Sequence, residues 1–141
     1  MVQIRQAQTQ PDIAACMALR WEVFVEEQGV PEADELDGTD EGATHVMALR
    51  ADRMIGAARY HLVDGIAKIG RVCVVRTARG AGIGAALIRY IESEVRHTAK
   101  HARLGAQVSA QSFYAGLGYL PVGDVYQDAG IPHQDMEKDL K

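Results

Sequence analysis

Two cysteines, Cys16 and Cys73, are all that the 141 residues carry. That scarcity excludes a disulfide framework as the source of stability. Both stand among apolar neighbours and read as small core residues of a protein in a reducing, cytoplasmic setting. No Cys/His spacing resembles a zinc site, so no metal is expected. No apolar run approaches the ~20 residues that a membrane-spanning helix needs. The opening "MVQIRQAQTQPD" has no apolar run behind its first charge, so neither membrane association nor a signal peptide is expected. Positive charge is also in deficit, with 15 Lys and Arg against 19 Asp and Glu and a formal charge of −4. Nucleic acid is therefore not expected as a partner, because phosphate backbones demand a basic face. The triphosphate loop G-x-x-x-x-G-K-[ST] is absent, as are internal repeats, low-complexity tracts and Pro/Ser-rich linkers.

What is present suits one domain over residues 1–141, with 48% apolar residues to build a single core. "VQIRQA" alternates like a strand. Ile13, Met17, Trp21 and Phe24 recur at helical spacing behind the start signals Thr9 and Pro11. Residues 22–41 hold Gly29, Pro31 and Gly38 and read as a helix end and a long loop. "THVMALR", "MIGAARYHLV" and "AKIGRVCVV" read as strands, the last two joined by the hairpin signal Asp64-Gly65. Ile83, Leu87, Tyr90, Ile91 and Val95 mark an amphipathic helix. A strand "ARLGAQV", a short helix "AQSFYAGLG" and the strands "YLPVGDVY" and "HQDMEKDL" complete the chain. Antiparallel hairpins with inserted helices give an α+β class with a mixed sheet.

The stretch "RTARGAGIGAALI" packs three glycines between a strand and a helix. A helix start leaves several backbone N–H groups unpaired, and with the helix dipole they attract anions. Glycines remove the Cβ atoms that would hold an anion away, and Arg79 adds a charged donor. The stretch reads as a pyrophosphate cradle or, equally, as a tight turn with close helix packing. Gly80, Gly82 and Ala85 also fit G-x-G-x-x-A, the dinucleotide fingerprint. The context it needs, a βαβ unit with an acid about 20 residues on, is missing.

The pattern R-x-x-G-x-G, filled by Arg79, Gly82 and Gly84 after Val74, resembles the main motif of the GNAT superfamily of acetyl-CoA-dependent N-acetyltransferases. About 25 residues on, "QVSAQSFYAGLGY" resembles that family's second motif. "RWEVFVEEQGVPEADELDG" and "GIPHQDM" resemble its small ElaA-like branch. The resemblance implies a mixed, mostly antiparallel central sheet, helices on both faces, and a V-shaped opening between the central strands. It implies acetyl-CoA as co-substrate, its pyrophosphate resting on the amides of Arg79, Gly80, Ala81, Gly82, Ile83 and Gly84. The pantetheine would pair with Cys73, Val74 and Val75, with amides near Val74 and Val75 as oxyanion donors. Tyr114 would protonate the departing thiolate. Gln107 stands where the family commonly has asparagine.

The implied reaction is direct attack of a primary amine on a thioester, with a small-molecule acceptor favoured. A protonated amine must first lose a proton to a base. The strand "KIGRVCVV" carries Arg71 and no carboxylate, which leaves Glu26, Glu27, His61 and His133 as candidates. Arg59 and Arg71 either bind an anionic group of the acceptor or pair with acids. Residues 22–41 hold nine acids and no Lys or Arg, which reads as a rim steering a cationic acceptor or as a solvated loop. The alternatives are a non-catalytic acyl-CoA sensor and a protein or peptide acetyltransferase. The resemblance leaves room for a homodimer.

Overall fold

Hairpins set the plan of the molecule, seen in a computed structural model that describes residues 1–140; Lys141, the last residue of the expected domain, lies outside the described residues. Strand β1 (Val2–Gln6) leads into α1 (Gln10–Arg20), which runs on without a break as a π-helical turn, Trp21–Glu27. Thr9 caps α1, its hydroxyl accepting from the Asp12 amide at 3.2 Å. The helix thus reaches further into the 22–41 segment than the sequence suggests, and a short helix α2 (Glu32–Glu35) follows. Then come β2 (Thr44–Arg50), β3 (Arg53–Val63) and β4 (Ile66–Val74), the long helix α3 (Ile83–Val95), β5 (His101–Gln107), the short helix α4 (Gln111–Gly116), β6 (Leu120–Asp128) and β7 (Ile131–Asp139).

The β2–β3, β3–β4 and β6–β7 connections are two residues long, and all six turn residues are left-handed. They are Ala51-Asp52, Asp64-Gly65 and Ala129-Gly130. Two positive φ angles in succession give the turn whose twist matches the flanking strands. The result is one seven-stranded sheet in the order β1-β2-β3-β4-β5-β7-β6. Every neighbouring pair is antiparallel except β4 and β5.

Helices cover both faces, and the pleat of β2 shows how. Val46 and Ala48 join the cluster under α3, with Leu87, Ile88 and Ile91 fully buried. Met47 and Leu49 join Cys16, Leu19 and Val23 under α1 and its π-helical extension. Both cysteines are buried free thiols, as the sequence indicates, and burial pushes them up to about 11 for Cys16 and about 12 for Cys73. Tyr119, fully buried, donates to Glu92 on α3 at 2.7 Å, and Lys138 of β7 reaches the same carboxylate at 2.9 Å. These bonds tie α3 to the far half of the sheet.

Candidate active site

The parallel pairing of β4 with β5 runs from Ile66↔His101 to Ile69↔Leu104 and ends there. Past that point β5 stays with β7 through Gln107↔His133. β4 stays with β3 but carries an irregularity opposite Ala57–Arg59. Arg71, at the irregularity, has φ +54°. A non-glycine residue in that region costs on the order of 1–3 kcal/mol and persists only where its surroundings enforce it. The two strands therefore splay, and between them lies a cleft of about 420 Å³. Gly70, Arg71 and Val72 line one wall, Gly105 and Gln107 the other, and Tyr114 of α4 and Tyr126 of β6 add aromatic surface.

Downstream of β4 the glycine loop opens onto α3. Gly80 and Gly82 are left-handed, at φ +85° and +78°, and a Cβ on either would meet no atom within 4 Å. The first bond of α3 runs from Ala86 N–H to Gly82 C=O at 3.0 Å, which leaves the preceding amides at the helix start without intrahelical partners. Gly84 serves a different purpose, since a Cβ there would come within 3.4 Å of the Phe113 ring. The stretch thus combines open space at Gly80 and Gly82 with close packing at Gly84. Cys73 and Val74 lie opposite Ala57 and Gly56, and the Val75 amide donates to Ile55 C=O at 3.0 Å. Val75 therefore cannot serve as the expected oxyanion donor. By the alternation of an antiparallel ladder, Val74 is the residue whose backbone turns away from β3. Its carbonyl accepts from Arg79 Nε at 2.9 Å.

Tyr114 packs edge-on to Phe113 and Tyr119, at ring separations of 4.9 and 6.3 Å. Its hydroxyl makes no hydrogen bond to another described residue. Burial, with a smaller push from Cys73, raises its phenol to about 12, so it carries its proton at neutral pH. His133 also lines the cleft. Its Nδ1 lies 2.7 Å from Ile131 C=O and its ring stacks on Tyr126, 5.9 Å between centroids at 23°. Gln107 donates to Gln28 at 3.1 Å, bridging the mouth from β5 to the end of the π-helical turn.

The remaining candidates stand elsewhere. Glu27 and Arg79 pair through two bonds, the second at 2.7 Å, so the Arg79 guanidinium is already matched and its bond lowers the Glu27 carboxyl from its ordinary value. Glu26 is exposed, and His61 reaches Thr39 C=O through Nε2 at 2.9 Å; neither lines the cleft. Arg59 is buried and pairs with Asp37 at 2.6 Å and Asp40 at 2.7 Å. Arg71 lines the cleft but binds Glu35 at 3.3 Å, Asp37 at 3.4 Å and the carbonyls of Asp34 and Glu35 at 3.1 Å each. Arg20, 1% exposed, closes a ring by pairing with Glu35 at 2.7 Å and Asp40 at 2.6 Å. Of the two readings of Arg59 and Arg71, pairing with acids is therefore the one realised. The acidic rim needs the same correction. Glu27, Glu35, Asp37 and Asp40 are neutralised by arginines, while Asp34 and, from β6, Asp128 are the cleft-lining acids with no ion pair to a described residue.

Sequence reasoning missed Tyr126, Gln28 and Asp128 as wall residues, while Asp34 belongs to the acidic 22–41 segment it read as a rim. One signal pointed to a close approach at this wall, though not to the residue that makes it. Gly105 lies inside a strand, where glycine often marks a close approach. A Cβ there would stand 2.5 Å from the Tyr126 hydroxyl, which itself donates to Asp135 at 2.7 Å.

Comparison with known proteins agrees with this architecture. Residues 6–140 match the acetyltransferase (GNAT) domain. The chain is 33% identical over 135 residues to the uncharacterized N-acetyltransferase YjcF of Bacillus subtilis, covering 94% of this chain and 96% of YjcF. It is 35% identical over 133 residues to ElaA of Escherichia coli, covering 89% and 86%. The crystal structure of ElaA superposes with a TM-score of 0.86 at 31% identity, over 99% of this chain and 100% of ElaA. An acyl-CoA N-acyltransferase from Pseudomonas aeruginosa superposes with a TM-score of 0.84 at 31% identity, over 98% of each chain. With the splayed strands, the glycine loop and these relatives in agreement, the chain belongs to the GNAT acetyltransferases, in their ElaA-like branch.

Proposed function

We propose that this acyltransferase takes acetyl-CoA as co-substrate and moves the acetyl group to the primary amine of a small molecule by direct attack. The observation that carries the reading is the splay of β4 from β5, with the protonated Tyr114 hydroxyl lining the cleft so formed. The fit to a CoA thioester rests on open space at Gly80 and Gly82, where a Cβ would fill room that phosphate oxygens need. The unpaired amides at the start of α3 would hold the pyrophosphate. The thioester supplies an activated acetyl carbonyl, and the Val74 backbone faces the side from which it would enter.

In this reading Tyr114 donates its proton to the sulfur as the C–S bond breaks. Burial suits it to the task, because a phenol near 12 is fully protonated at pH 7. Asp34 and Asp128 give the cleft a negative rim, which favours an amine arriving as a cation. The cleft holds only about 420 Å³, and Gln28 and Gln107 of its lining bond to each other across it, which favours a small acceptor over a folded protein. The test is a panel of amines, amino acids, aminosugars and peptides, read by release of free CoA thiol. Acetylation of a small amine is expected. Binding of acetyl-CoA with no thiol release across the panel would turn the reading into that of a sensor.

A further inference from the structure

We infer that His133 is the general base that takes the proton from the acceptor amine; the inference rests on the N-acetyl transfer proposed above. The argument starts from the hydrogen bond to Ile131. A backbone carbonyl only accepts, so Nδ1, 2.7 Å away, is the protonated nitrogen of the neutral ring. The lone pair then belongs to Nε2. The ring cannot turn freely to hide it: one face stacks on Tyr126, and Tyr126 is fixed by its own bond to Asp135. His133 stands opposite Gln107 in register, on the wall of the cleft that holds Tyr114. Of the four candidates for the base, it alone lines that cleft and has no ion pair or bond at the nitrogen that would act.

The protons balance. Nε2 takes one proton from the ammonium group, and the freed lone pair forms the C–N bond at the acetyl carbon. The C–S bond breaks, and Tyr114 gives its proton to the sulfur. The new amide nitrogen sheds its surplus proton to the Tyr114 oxygen, and His133 releases its own to solvent. Tyr126 stacks on the ring and is held by Asp135 from the same strand as His133, and Asp128, Tyr114, Arg71, Asp34 and Glu35 line the same cleft.

Two measurements test the assignment. In His133→Asn the shorter amide keeps a donor near Ile131 and loses the base. kcat/KM for the best amine of the panel should fall roughly 10²-fold, with acetyl-CoA affinity unchanged and the limb on which activity falls with acid abolished. Long-range proton–nitrogen correlation on the wild-type chain should show His133 protonated on Nδ1 and bare on Nε2, a readout that does not depend on the variant folding. A proton on Nε2 in the neutral ring overturns the inference. So does an unchanged rate and pH profile in His133→Asn, which would leave the transfer reading standing. Absence of acetylation across the whole panel overturns that reading and the base with it.

Discussion

The acid role proposed for Tyr114 depends on where its ring is packed. Phe113 and Tyr119 hold it edge-on, and burial keeps the hydroxyl protonated up to about pH 12. Tyr114→Phe keeps the ring and its contacts and removes only the proton. Turnover should drop by roughly 10²-fold, the scale of a lost general acid, while calorimetry finds acetyl-CoA affinity nearly intact. Because the hydroxyl titrates so high, no limb of the activity profile below pH 9 should belong to it. The stability sign also follows. A folded value raised above the ordinary ~10 favours the neutral form, so its contribution is complete below pH 10 and fades between about 10 and about 12. Thermal melts of Tyr114→Phe should fall less steeply over that interval than the wild type. Tyr114 was legible in the sequence because its motif is local, "SFYAGLGY". Tyr126 was not, because its place beside His133 depends on the irregular β6–β7 register, between Val122 and Tyr126.

The loop between β4 and α3 illustrates how an element does what its residues alone would not. Its glycines were legible because left-handed turns and unhindered amides need them. The partner of Arg79 was not, since Glu27 lies 52 residues away in the chain. Gly82→Val puts a branched side chain at φ +78° beside the amides proposed to hold the pyrophosphate. No protein atom obstructs it, and the strained φ costs on the order of 1–3 kcal/mol of stability, so the chain should still fold, with a lowered melting point, while acetyl-CoA affinity falls tenfold or more, about 1.4 kcal/mol. Calorimetry on the folded variant decides this. The Glu27 carboxylate lies against Arg79 and within 3.8 Å of Arg76, and cancels positive charge just where a pyrophosphate would dock. Glu27→Gln should therefore bind CoA several-fold more tightly, with the gain shrinking as salt rises, because exposed charges are screened beyond ~8–10 Å. Weaker binding would instead mean that the ion pair is needed to hold the loop.

At the scale of the whole molecule, the ring of Arg20, Glu35, Arg71, Asp37, Arg59 and Asp40 fastens the 31–42 segment to the sheet. Composition shows the charges, but not that they alternate in space: the partners are 15 to 36 residues apart and meet only when the strands pair. Arg71 belongs both to the ring and to the irregularity that opens the cleft, so the stability of the segment and the shape of the site depend on the same contacts. Glu35 and Arg20 are almost wholly buried, but without the Glu35 charge Arg20 keeps Asp40 and Arg71 keeps Asp37. Glu35→Gln should therefore cost less than a fully stranded buried charge would, about 1–3 kcal/mol, measured as a lowered denaturant midpoint with unchanged m. Acid should act through the same ring. The Arg59 guanidinium holds Asp37, and Arg20 and Arg59 hold Asp40, below the ordinary carboxylate value near 4. A depressed folded value means that the unfolded chain takes up protons first, so the stabilisation is complete above about pH 4 and is lost as pH falls below it. Asp37→Asn should be less stable than wild type at pH 7, and the gap should narrow steadily between pH 4 and pH 2. A gap of constant size across that range would mean that Asp37 acts through packing and hydrogen-bond geometry alone, and not through its charge.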